Sequence, residues 1–196
     1  MQRPLRILTA ASMSVAALVA MAIIAPGSPA VAEEAAPAPV CNINSLIMPL
    51  ADNHYVSAEL GYGGALYGML RSRAATPGPW ENFKICYRYE GATKVVYILN
   101  ERNLRYVSAE LGYTGVDHGM MRARATDVGP WEKFTIARWG PNPKMYTIKS
   151  QRNGRYVSVE LGYGGVRHGM LRARATAIGP WEKFLISCGF PAECKF

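Results

Sequence analysis

The side chains able to do chemistry in this sequence come in threes. Tyr62, Tyr113 and Tyr163 each stand in a Gly-Tyr-x-Gly setting. A ring held between glycines on a hairpin tip is hard to bury, and an exposed one can stack on a sugar and hydrogen-bond it through its hydroxyl. The alternative folds each ring back onto its own hairpin. His118 and His168 lie five residues further on, at matching positions that border the same loops, with Tyr67 in the first copy. Arginines recur at an interval of two, as Arg71/Arg73, Arg122/Arg124 and Arg172/Arg174, and Glu59, Glu110 and Glu160 recur upstream of them. Cross-strand ion pairing accounts for this pattern. The sharper reading makes Arg71, Arg122 and Arg172 three anion-binding patches, because guanidinium offers carboxylate or sulfate a planar fork.

Catalysis would call for a nucleophile with its base, or convergent carboxylates, in one copy alone, since repetition by itself scatters equivalents about an axis. No such set stands out. His54 lies apart from His118 and His168, and Asp117 beside His118 has no Ser or Cys motif to serve. Threefold placement also keeps equivalent histidines apart, so neither a metal site nor a cofactor is expected.

The elements that must position these residues form one unit of about 50 residues written three times. Tyr55, Tyr106 and Tyr156 open YVSAELGYGG, YVSAELGYTG and YVSVELGYGG, and a Trp follows each Tyr by 25 positions, at Trp80, Trp131 and Trp181. Spacing is fixed within the copies and changes by one residue between them, which puts the indel in a connecting loop. Each copy reads as four short strands; in the second these are KVVYILN, RYVSAEL, MMRARA and KFTIARW. RYVSAEL alternates, with Val107, Ala109 and Leu111 on one face and Tyr106, Ser108 and Glu110 on the other. Ile47, Ile98 and Ile148, each eight residues before the Tyr, are core candidates, as are Phe83, Phe134 and Phe184.

Three four-stranded units must leave no apolar face and no long edge open. A propeller needs at least four blades, and an open solenoid wants distinct caps. The closure that uses three is an all-β fold, a β-trefoil: six strands in a short barrel and six in three hairpins across its end. In that frame the Trp of each GPW turn is expected to plug the space between barrel and cap, in preference to stacking on a ligand.

Residues 1–32 read as an export signal: Arg3 and Arg6, an uncharged stretch from Ile7 to Ile24, and a small-residue site at Ala30-Val31-Ala32. An uncleaved anchor is the alternative, weakened by Ser, Thr and many Ala. Residues 33–40 form an Ala/Pro-rich tether and 41–196 the domain, with repeats at about 41–89, 90–140 and 141–190. The formal net charge is +8; loss of Arg3 and Arg6 leaves 20 basic residues against 14 acidic ones, or +6. That balance favours acidic glycan or cell-surface contacts over nucleic acid for an exported protein, or it serves solubility alone. Cys41, Cys86, Cys188 and Cys194 suit two disulfides. Of three pairings the favoured one joins Cys41 to Cys86 and Cys188 to Cys194.

The string Y-V-S-A/V-E, a Gly-rich turn and then G-P-W-E-x-F-x-I, present in all three copies, resembles the fascin-like β-trefoil family. The resemblance implies the trefoil argued above. It also implies protein-filament binding as one partner class, since the best-known members bundle actin through four tandem trefoils, and accessory binding as another, since such trefoils accompany secreted bacterial hydrolases. This chain has one trefoil and an export signal, so bundling would require self-association. The Q-x-W tripeptide of ricin-type lectins is absent, so a ricin-like sugar pocket is not carried over. Together these features lead to a secreted, extracellular, monomeric, non-catalytic module for polysaccharide or cell-surface glycan. An adaptor for actin or another protein is the alternative.

Overall fold

A computed structural model describes residues 37–190 and 193–196, so the expected export signal and the first half of the tether lie outside the described residues. Twelve strands run in three groups of four. The first group is β1 (Val40–Pro49), β2 (Tyr55–Glu59), β3 (Met69–Ala74) and β4 (Phe83–Glu90); the second is β5 (Thr93–Asn100), β6 (Arg105–Glu110), β7 (Met120–Ala125) and β8 (Phe134–Arg138). The third is β9 (Met145–Ser150), β10 (Tyr156–Glu160), β11 (Met170–Ala175) and β12 (Phe184–Ser187).

The outer strands of each group pair in a closed circuit, β1 with β4, β4 with β5, β5 with β8, β8 with β9, β9 with β12 and β12 with β1. A six-stranded barrel results, with no open edge. The inner strands form hairpins β2–β3, β6–β7 and β10–β11, each bulged after its Tyr, and β3, β7 and β11 also pair with one another. This is a β-trefoil.

Ile47, Ile98, Ile148, Phe83, Phe134 and Phe184 are all fully buried in one core cluster, where each side chain contributes about 1.5 to 3 kcal/mol. The polar face of the Y-V-S-A-E strand is buried as well, through Ser57, Ser108, Glu59 and Glu110. The GPWE turn explains this. Glu81, Glu132 and Glu182 point inward and accept the N–H groups of Gly78, Gly129 and Gly179 at 2.7, 2.8 and 2.7 Å. The hydroxyls of Ser57 and Ser108 donate to the same carboxylates in the first two copies. A buried charge thus receives charge-assisted bonds in place of water.

The copies are locked in a ring. Ala123 N–H donates to Gly68 O at 2.7 Å, Ala173 N–H to Gly119 O at 2.7 Å, and Ser72 N–H to Gly169 O at 2.8 Å, so each copy bonds the next and the third closes on the first. Gly68, Gly119 and Gly169 have φ of +75°, +79° and +80°, and a Cβ there would sit 2.5, 2.8 and 2.2 Å from a carbonyl oxygen of the neighbouring copy. Only glycine fits. Met69, Met120 and Met170 are fully buried together beside this ring. Disulfides join Cys41 to Cys86 and Cys188 to Cys194. Among the described residues no helix is long and apolar enough to cross a membrane.

Candidate functional site

Of the two readings of the loop tyrosines, the structure has the folded-back one. Tyr62, Tyr113 and Tyr163 are half-buried against Met69, Met120 and Met170. Their hydroxyls accept hydrogen bonds from Nη1 of Arg71 (3.2 Å), Arg122 and Arg172 (2.7 Å). The same arginines reach back into the preceding copy through Nε: Arg71 to His168 O at 2.7 Å, Arg122 to Tyr67 O at 2.8 Å and Arg172 to His118 O at 2.9 Å. Arg122 and Arg172 are buried. The tyrosines are therefore not outward stacking platforms, and these arginines are not free anion patches. Each guanidinium is spent on carbonyls left bare by a tight loop, which reinforces the ring of copies. His118 and His168 stay exposed beside those loops, with Nδ1 bonded to Tyr113 O at 2.9 Å and Tyr163 O at 3.1 Å.

The second arginine of each row takes the cross-strand pairing. Arg73 forms an ion pair with Glu59, while Arg124 hydrogen-bonds Glu110 and Arg174 hydrogen-bonds Glu160, both in bidentate fashion. The hydrogen bond to glutamate holds Arg124 and Arg174 above the usual arginine range, so these charges are permanent. The carboxylates are buried while the arginines remain 46, 39 and 41% exposed. Each copy thus shows solvent an oriented guanidinium.

Beside it stands the Trp of the GPW turn. Trp80, Trp131 and Trp181 are 47, 44 and 41% exposed, so the interior plug expected of them is not theirs; the buried phenylalanines occupy the core. The physical reason lies in the turn. Adjacent residues on it face opposite ways, and the inward position belongs to Glu81, Glu132 and Glu182, whose carboxylates have hydrogen bonds to make. Trp80 walls a cleft of about 330 Å³ with Ala58, Glu59, Leu60, Gly61 and Arg73. The matching residues of the other copies are Trp131 with Glu110, Leu111 and Arg124, and Trp181 with Glu160, Leu161 and Arg174. An indole beside a guanidinium locked by a carboxylate can stack on an apolar ring face and donate to the hydroxyls around it. The signal for this site in the sequence is the repetition of Trp with Arg, residues that read separately as a packing plug and a cross-strand ion pair.

Asp52, His54 and Ser72 meet in the first copy, a juxtaposition distant in sequence. Ser72 Oγ lies 2.9 Å from Asp52 Oδ1 and 3.0 Å from His54 O, two acceptors for its single proton, while His54 Nδ1 contacts Asp52 O at 2.8 Å. The hydroxyl is paired with a carboxylate and not with an imidazole nitrogen, so it is not arranged as a nucleophile with its base. Among the described residues no group of three or more His, Cys, Asp or Glu is placed to hold a metal ion.

No protein-family model matches this chain, and no curated protein matches it in sequence. Solved structures are similar to it in fold. The designed 3-fold symmetric protein ThreeFoil is similar with a TM-score of 0.57 at 10% identity, over 72% of this chain and 96% of that one. The BEL β-trefoil gives 0.56 at 8% identity, over 82% of this chain and 98% of that one. A ricin B-like lectin of Macrolepiota procera, solved with lactose, gives 0.53 at 13% identity, over 74% of this chain and 95% of that one. At such identities the likeness shows the fold.

Proposed function

We propose that this chain is a secreted, non-catalytic, fascin-like trefoil module that holds polysaccharide or cell-surface glycan through up to three equivalent clefts at Trp80, Trp131 and Trp181. The observation that carries this reading is the cleft where the half-exposed Trp80 stands beside Arg73, itself paired with the buried Glu59, together with the recurrence of an equally exposed Trp and an equally exposed, glutamate-paired Arg at the matching positions of the other two copies. The lactose bound by the ricin B-like neighbour supports a sugar ligand for such a scaffold, and the two disulfides fit an oxidising compartment. Three weak sites on one rigid body would hold a polymer by avidity, although each alone binds feebly.

Retention on a panel of insoluble polysaccharides, with a glycan array alongside, tests this. Trp80→Ala, Trp131→Ala and Trp181→Ala should each weaken retention, and the triple variant should lose it while keeping the native circular dichroism spectrum. No retention of the unmodified chain on any matrix would refute the reading. Co-sedimentation with filamentous actin checks the adaptor alternative, which rests on the resemblance alone.

A further inference from the structure

The three junctions between copies are built alike, yet one carries different side chains. Where the third copy meets the first, a cavity of about 290 Å³ is lined by Asp52, His54, Arg71, Ser72, Arg73 and His168. The matching positions elsewhere hold Asn103 and Asn153 for Asp52, Arg105 and Arg155 for His54, and Ala123 and Ala173 for Ser72. This junction alone faces two imidazoles. Their tautomers follow from their neighbours: His54 Nδ1 lies 2.8 Å from Asp52 O and His168 Nδ1 3.1 Å from Tyr163 O, so each Nδ1 carries the proton. Among the described residues no hydrogen bond reaches either Nε2.

The charges around the two rings balance while the rings are neutral. Arg71 and Arg73 come from β3, Asp52 from the loop before β2, and Glu59 from β2 behind Arg73. Arg167, next to His168, is neutralised by Asp117 through two bonds of 2.7 and 2.8 Å. Two cations thus face two anions. A proton added at each Nε2 would bring a positive charge and an N–H donor to a cavity bordered by the half-exposed Arg73 guanidinium, with Arg71 held behind it on His168 O, Tyr62 Oη and Gly165 O.

Arg73 also walls the Trp80 cleft, so cavity and cleft share one side chain. We propose that this junction is an acid-favoured anion site, and that it receives the sulfate or carboxylate substituent of an acidic glycan whose ring rests on Trp80. The glycan part rests on the function proposed above; the anion part does not. The first copy then selects charged polymer, whereas the Trp131 and Trp181 clefts take ring faces without regard to such a substituent.

The chain contains three histidines, so each imidazole is a separate probe in a proton–carbon NMR spectrum. Sodium sulfate, titrated against sodium chloride of equal ionic strength, should shift His54 and His168 saturably and leave His118 in place. Affinity should rise about tenfold from pH 7.5 to pH 5.5, as two added charges at partly solvated distances imply. Arg73→Gln should abolish saturation; His54→Gln, a change at a half-exposed side chain, should remove most of the acid-dependent gain with the fold intact. No sulfate response, the same response in all three rings, or an affinity independent of pH would overturn the proposal. An acidic oligosaccharide should perturb both rings and the Trp80 indole, and its neutral counterpart the indole alone. Should sulfate bind while no glycan reaches any Trp, the glycan function fails and the anion site stands.

Discussion

Gly119→Ala adds one carbon at the seam between the second and third copies. Gly119 has φ of +79°, a region that costs an L-residue about 1 to 2 kcal/mol. Its new Cβ would lie 2.8 Å from Ala173 O, closer than side-chain carbons come to backbone oxygen, so the seam must shift. Overpacking of this kind costs about 1 to 3 kcal/mol. Restricting the unfolded chain returns about 0.5 to 1 kcal/mol. The net loss is about 1 to 4 kcal/mol, read as a lower midpoint in urea at unchanged slope. Gly154→Ala is the control, because Gly154 shares the positive φ, at +66°, and has no atom within 4 Å of the new carbon. It should lose about 1 kcal/mol or less. The seam glycines should also rank by their contacts, with Gly169 at 2.2 Å worst, Gly68 at 2.5 Å next and Gly119 mildest. Equal midpoints for Gly119→Ala and Gly154→Ala would refute the argument that close approach, and not backbone angle alone, holds the seam.

Glu132→Ala removes a buried acceptor from Gly129 N–H and Ser108 Oγ and should cost about 2 to 4 kcal/mol; a thermal midpoint within 2 °C of the parent would show that the GPWE turn stands without it. The bond from Arg167 holds the Asp117 carboxyl below the usual aspartate range, so this pair stabilises the fold above the unfolded value of about 3.9 and loses its effect as pH falls through the lower folded value. Asp117→Asn should accordingly be less stable by about 0.5 to 1 kcal/mol at pH 7, a gap that closes below about pH 3 in paired denaturant melts. Replacing both Cys41 and Cys86 by Ser should cost about 4 kcal/mol, against about 2 for Cys188 and Cys194, because the first bond closes a loop of separation 45 and the second one of 6; equal losses would count against loop closure as the cause. Leu104, 70% exposed at φ +55° where the third copy has Gly154, should gain up to about 1 kcal/mol on change to Gly in the same melts.

The architecture was legible because a closed barrel depends on counting. Three copies of four strands admit few arrangements, and the isoleucines eight residues before each Tyr mark the barrel wall in every copy. Disulfide pairing in chain order also followed, since Cys41 and Cys86 face each other across β1 and β4. The site was harder to read. Constant spacing around Trp131 suggested burial, yet the constancy belongs to its neighbour Glu132, which must point inward to reach Gly129 N–H and Ser108 Oγ. Tyr113 in its glycine-rich loop suggested exposure, but Arg122 of the following strand in the same copy bonds its hydroxyl, and that guanidinium is in turn fixed on Tyr67 O of the preceding copy, a partner that the local sequence does not reveal. The junction of Asp52, His54 and Ser72 with His168 had no local signal, because it exists only when the third copy returns to the first.

That return has a consequence for how the polypeptide is made. β1 is synthesised first, yet one of its two edges pairs with β12, and Ser72 in the opening copy waits for Gly169 in the closing one. A nascent chain holding one or two copies can form its local hairpins but has an unzipped wall and a seam without its mate, so the long-range pairings come last. Wall and seam are thus completed together by the last-made copy, and every shorter intermediate keeps one edge of β1 bare.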